Sequence, residues 1–191
     1  YESATDNLNQ NVQDSILRFV LRKCTHVPVG IMDMASQSLK MKLQLRGKVT
    51  VQRRGQLMGN LVSFPLLCLV NYLAFKYVVR RDVPVLVNGD DILFRSTPEE
   101  YTRWADQVGR SGLVLSPGKT MVHSRFGSLN STFFEFSKKR TRIVPVLRSK
   151  ALGLVNRGKI SSLRGRYRKF AEGFGRWRRE LLDRCFVRHN S

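Results

Sequence analysis

Carboxylates are the scarce side chains of this sequence. Fourteen Asp and Glu stand against thirty-four Lys and Arg in 191 residues, a formal net charge of +20. That imbalance points to a polyanionic partner, nucleic acid first and an anionic membrane surface second. The alternative is a solvated basic surface with no partner. Cysteine is also sparse. Cys24, Cys68 and Cys185 lie far apart with no CxxC spacing, which argues against a disulfide framework or a zinc site and for free thiols in a reducing compartment. His26, His123 and His189 are equally scattered and suggest no metal set. No apolar run approaches the ~18 residues of a membrane span; the longest candidate, around residues 55–75, is interrupted by Asn60, Ser63 and Asn71. A phosphate-binding loop is missing too. Gly118-Lys119-Thr120 would need a glycine at the position that Leu113 occupies.

What remains is globular. Hydrophobic residues make up 42% and charged residues 25%, enough for one ordinary domain with a core or for part of a larger one. The chain begins with Tyr1 and no signal peptide follows, so a fragment or processed product is expected.

The stretch from Val83 to Phe94 stands out: an apolar run, the polar turn Asn88-Gly89-Asp90-Asp91, and a second apolar run. Strand formers flank turn formers, so a β-hairpin is expected with Asn88-Gly89 at the bend. Asp90 and Asp91 then lie at the mouth of the hairpin. Adjacent carboxylates repel, and a divalent cation is the usual compensation for burying them. The plainer reading is a solvated turn.

Upstream, Leu8, Val12, Ile16, Phe19 and Val20 repeat at helical spacing. Asp6 or Asn7 is the expected N-cap, and the helix should stop before Val27-Pro28. Asp6 could equally bind substrate. Residues 39–45 alternate as a half-buried strand should, Gly47 offers a turn, and Val49-Thr50-Val51 suit the return. Arg53 and Arg54 lead into a loop with Gly55 and Gly59, a backbone able to approach a ligand closely, although paired surface arginines are commonplace. Pro65 marks the first turn of a helix apolar nearly all round, as a buried helix is.

After the hairpin, Thr97-Pro98-Glu99-Glu100 forms a capping box for a helix with Tyr101, Trp104, Ala105 and Val108 on its apolar face, ended by Gly109 or Gly112. Leu113-Val114-Leu115 and Thr132 to Ser137 read as short strands, with a turn at Ser116 to Thr120 between them. From Lys138 onward seventeen Lys and Arg face three acids. Tyr167, Phe170, Phe174 and Trp177 are interleaved with Arg164, Arg166, Arg168, Lys169, Arg176, Arg178 and Arg179. The arginines suit phosphates; the aromatics suit either base stacking or the buried side of a basic helix.

Taken in order, an Ala-Thr-Asp segment, Gly-x-x-x-Gly-x-x-x-Ser-Phe-Pro before an apolar helix, a Gly-Asp-Asp hairpin, a helix with a turn lysine and Phe-Phe-Glu-Phe resemble the palm of a viral RNA-dependent RNA polymerase. Motifs A to E follow in sequence over roughly residues 1–137, most similar to ourmia-like viruses and their narna-, mito- and levivirus relatives. The resemblance implies an α+β palm, an antiparallel sheet with packed helices, over residues 1–137, and the start of a mainly helical basic thumb over 138–191.

It also implies roles. Asp90 and Asp91 would hold two Mg²⁺ ions, with Mn²⁺ as an alternative, for nucleotidyl transfer. Asp6 would help recognise the ribose 2′-hydroxyl, with Ser63 and Asn71 also at the nucleotide. Family members place that Asn where this chain has Leu67. Gly55, Gly59, Arg53 and Arg54 would form the template loop. Lys119 would be the general acid for pyrophosphate, or else a plain turn lysine. Phe133, Phe134, Glu135 and Phe136 would grip the primer. The partners implied are template and product RNA and nucleoside triphosphates.

The family's first motif A aspartate would fall at or just before Tyr1, and the N-terminal fingers region lies upstream. A truncated chain, inactive alone, is therefore expected. Replication would take place in the host cytoplasm, with a mitochondrial site left open. Two rivals stand beside this reading. A non-catalytic RNA-binding protein explains the charge but not the hairpin. A reverse transcriptase usually has an aromatic residue where Asn88 stands.

Overall fold

A computed structural model describes residues 1–148 and 160–190, and backbone only at 160–162. Part of the basic region expected from residue 138 onward thus lies outside the described residues. The described residues mix helices with small antiparallel sheets, an α+β arrangement. Two compact units are present, Tyr1–Met121 and Val122–Ser191.

The first unit opens with a turn and then helix α1, Gln10–Lys23. The Asn9 side chain accepts from the Asn11 N–H at 2.9 Å and from the Val12 N–H at 3.4 Å. Asn9 is therefore the N-cap, not Asp6 or Asn7; the first residues are held in a turn by the Asp6 N–H to Ser3 carbonyl bond instead. The helix does stop before Pro28. A short helix, α2 (Val29–Gln37), starts directly after that proline, where sequence reading saw only a stop.

Strands β1 (Lys42–Leu45) and β2 (Lys48–Val51) pair as expected, with Arg46 and Gly47 both at positive φ in the connecting turn. Both strands are exposed throughout, so the expected half-burial is not found. The alternation supplies an apolar set, Leu43, Leu45, Val49 and Val51, that nothing in this unit covers.

Helix α3, Ser63–Val78, buries Leu66, Leu67, Val70, Asn71 and Phe75. Phe64, Leu73 and Tyr77 on the same helix are exposed, so an apolar circumference does not here mean all-round burial. Strands β3 (Val85–Asn88) and β4 (Asp91–Phe94) form the expected hairpin. Asn88 pairs with Asp91, which moves the bend one residue on, to Gly89-Asp90. Gly89 takes φ +63°, and glycine at the first central position is what a two-residue type II′ turn requires. Helix α4, Pro98–Val108, begins with the expected capping box of Thr97 and Glu100 and buries Trp104 and Val108. Leu113 to Leu115 contribute only a single bridge, Glu2 to Val114, rather than a strand.

The core of this unit joins Ala4, Leu8, Leu67, Val70, Phe75, Val79, Trp104, Val108 and Leu113. Each large side chain so buried contributes about 1.5–3 kcal/mol. Phe94 bridges the hairpin to the helices, with ring centroids 4.8 Å from Phe75 and 5.0 Å from Trp104.

The second unit holds a three-stranded antiparallel sheet, β5 (Phe126–Leu129), β6 (Thr132–Phe136) and β7 (Thr141–Val144), in that order. Helices α5 (Ile160–Phe170) and α6 (Arg176–Asn190) follow. They meet through Phe170 and Phe186, both buried. Of the interleaved aromatics, Phe170 is thus core, whereas Trp177 is 81% exposed. Among the described residues no helix is long and apolar enough to cross a membrane.

Candidate active site

The carboxylate hairpin sits on helix α3. Phe64, Leu67, Cys68 and Asn71 recur at i, i+3, i+4 and i+7, which puts them on one face. Gly89 lies against that face: a Cβ built there would come 3.2 Å from Phe64 Cε2 and 3.7 Å from Leu67 Cδ2. Asn71 is fully buried. Its Nδ2 donates to the Gly89 carbonyl at 3.2 Å and the Asp90 carbonyl at 3.0 Å, while its Oδ1 accepts from the Tyr1 hydroxyl at 2.9 Å. The Gly89 N–H donates to Cys68 Sγ at 3.1 Å. Sequence reading missed Tyr1 and Cys68 here; the helical spacing of Cys68 and Asn71 was the available signal.

The Asp90 carboxylate is half exposed, and its Oδ2 lies 3.8 Å from the Tyr1 backbone nitrogen. Asp91 is exposed. Burial, and next the nearby Asp90 charge, push the Tyr1 phenol pKa above its ordinary value, so the hydroxyl stays protonated and able to donate. Aspartate oxygens are hard donors of the kind that suits Mg²⁺ or Mn²⁺. Among the described residues, however, no group of three or more His, Cys, Asp or Glu side chains forms. Two adjacent carboxylates on their own fall short of a cation cage.

The loop before α3 is tied to the Thr5–Leu8 turn. The Gly55 N–H donates to the Leu8 carbonyl at 2.9 Å, the Gln56 N–H to the Thr5 carbonyl at 2.7 Å, and buried Gln13 Nε2 to the Gly55 carbonyl at 3.1 Å. Gly55, at φ +73°, approaches so closely that a Cβ would fall 2.4 Å from the Thr5 oxygen and 2.6 Å from the Asp6 oxygen. Its freedom is used for packing against the chain itself. Gly59, at φ +95°, has nothing within 4 Å of a Cβ and keeps an open backbone. The two glycines expected to act alike are therefore different. Ser63 is buried and its hydroxyl donates to the Leu57 carbonyl at 2.9 Å, holding the loop. Asp6, Arg53 and Arg54 are exposed.

Lys119 is exposed on a turn closed by its own N–H to the Ser116 carbonyl at 3.0 Å. Ser116 also donates its hydroxyl to Glu2 Oε1 at 3.1 Å. The Phe-Phe-Glu-Phe stretch belongs to the second unit, as β6. Here Glu135 is buried, while Phe133 and Phe136 are partly exposed. Glu135 faces Arg142 across the β6–β7 ladder and is ion-paired with both Arg125 and Arg142. The Arg142 hydrogen bond, and after it Arg125, hold the Glu135 carboxyl below its ordinary pKa against the opposing effect of burial. These arginines also line a cleft of about 910 Å³ with Phe126, Arg176 and Trp177.

No family model matches the chain. No solved structure matches it either. Over 83% of its length the chain is similar to the RNA-dependent RNA polymerase of Ourmia melon virus (isolate Melon/Iran/VE9), with 32% identity. It spans about a fifth (21%) of that relative's length. The chain is thus related to a segment of a viral RNA-dependent RNA polymerase.

Proposed function

We propose that this chain is part of the palm and thumb of a viral polymerase that makes RNA on an RNA template. The observation that carries the reading is the Gly89-Asp90-Asp91 turn seated on α3 through Cys68 and Asn71. Asp90 and Asp91 would hold divalent cations. When bound, a pair of such ions activates the attacking 3′-hydroxyl and stabilises the leaving pyrophosphate. In this reading a further acidic ligand completes the cation site.

The remaining roles belong to the chain's own residues. The open Gly59 loop lets backbone approach template. Ser63 sets that loop by its bond to Leu57. Exposed Asp6 is available to an incoming ribose, and Arg53 and Arg54 to phosphates. Exposed Lys119 would donate a proton to pyrophosphate. Phe133 and Phe136, partly exposed beside the Glu135 ion pairs, are available to a primer strand.

The test is a longer polymerase that includes this segment. Asp90→Ala should lower templated synthesis by at least about two to three orders of magnitude while RNA affinity is largely kept, the cost of removing a transition-state stabiliser. Unchanged synthesis overturns the reading and leaves an RNA-binding protein. The 191-residue chain alone should give no templated product.

A further inference from the structure

The hydrogen bonds around Asn71 support a different role for that residue from sugar recognition. A side-chain amide has two N–H donors and one acceptor oxygen. Both Asn71 Nδ2 bonds go to main-chain carbonyls of the turn, Gly89 and Asp90, and Oδ1 is taken by Tyr1. The orientation is determined by the two carbonyls, since a flipped amide would set oxygen against oxygen. No surface of Asn71 remains for a ligand, because the residue is 0% exposed. One turn back on the same helix face, Cys68 accepts from the Gly89 N–H. Helix α3 therefore holds both backbone polar groups of Gly89 and the carbonyl of Asp90.

We infer that Asn71, oriented by Tyr1 and assisted by Cys68, is a positioning residue that fixes the main chain of the Asp90 turn and so aims the carboxylate. The catalytic consequence rests on the polymerase reading; the clamp itself does not. A two-residue hairpin turn with one half-exposed carboxylate could otherwise sample several orientations, and preorganisation is where electrostatic catalysis gains most. Three segments distant in sequence meet in this one amide: the opening turn, α3 and the hairpin.

Two measurements separate the clamp from the activity. In the 191-residue chain, Asn71→Leu removes both bonds to the turn and should raise amide hydrogen exchange across Gly89 to Asp91 by at least about tenfold, the scale of a single net hydrogen bond, with α4 unaffected. Cys68→Ala is a milder change that leaves Asn71 in place, and should raise exchange at Gly89 most. If Asn71→Leu unfolds the chain, this second variant decides. Unchanged exchange at the turn in the folded variant overturns the clamp. In the longer polymerase, Asn71→Leu should lower kcat about ten- to a hundredfold while the nucleotide KM and the ribose-over-deoxyribose preference stay as they were. A changed sugar preference without changed turn exchange would return Asn71 to nucleotide recognition. Absence of synthesis by the unsubstituted polymerase would sink the polymerase reading, and the exchange result would still judge the clamp.

Discussion

Arg81 grips Glu100 with two parallel contacts, Nε to Oε1 at 2.7 Å and Nη2 to Oε2 at 2.8 Å. The Thr97 backbone N–H donates to the same Oε2 at 2.9 Å. One carboxylate thus closes the capping box of α4 and ties that helix to the segment before β3. The Arg81 hydrogen bond, with the Thr97 N–H next, holds the Glu100 pKa down to about 2 from its ordinary 4.5.

A depressed folded-state pKa means that the unfolded chain binds the proton more readily, so stability rises with pH across the interval. Glu100 should therefore stabilise the first unit fully above about pH 4.5 and lose that contribution as pH falls toward 2. Glu100→Gln should be less stable near neutrality and show a shallower acid loss. Urea midpoints at several pH values check this; parallel acid profiles for the two proteins would contradict it.

The glycines differ in what a methyl group would meet. Gly55 and Gly112 sit at positive φ with a Cβ position 2.4 Å from the Thr5 oxygen and 2.0 Å from the Asn7 oxygen. Alanine at either should cost more than about 2 kcal/mol, since left-handed backbone alone costs roughly 1–2 kcal/mol. Gly118, with nothing within 4 Å and no positive φ, should tolerate alanine within about 0.5 kcal/mol. Denaturant unfolding of the three variants orders them.

The start of α1 supplies a third comparison. Asn9→Ala should lower stability by about 1 kcal/mol, because it removes the acceptor for two otherwise unpaired helix N–H groups. Asp6→Ala should leave the helix intact. Equal losses in thermal unfolding would return the cap to the earlier residue.

Arg176, Arg178 and Arg179 are exposed at the start of α6. If they contact RNA phosphates, each alanine replacement should weaken single-stranded RNA binding irrespective of sequence and reduce the slope of log affinity against log salt by about 0.7. Anisotropy titrations across a salt series measure it. An unchanged slope would remove these arginines from the interface.

Much of the local structure was legible. The two hairpins, the Thr97 capping box, the stop before Pro28 and the α4 apolar face follow from turn chemistry and periodicity, which act over a few residues. Other features were not. The one-residue shift of the bend to Gly89-Asp90 depends on how Asn88 and Asp91 pair across the ladder. The exposure of Leu43, Leu45, Val49 and Val51 could not be read from alternation, because a period of two identifies a face without saying what lies on it. In β6, Glu135 is buried because Arg125 and Arg142 compensate its charge, and neither pairing is visible in a string of letters.

At the Asp90 turn the division is clear. Residue order alone placed two adjacent carboxylates between apolar strands and set them in a run of segments resembling a polymerase palm, because hairpin chemistry and motif order are properties of the chain. Tertiary structure alone decided what holds the turn. Cys68 and Asn71 reach it from about twenty positions away and Tyr1 braces Asn71 from seventy, and a buried amide must pair its hydrogens with whatever carbonyls packing brings within reach.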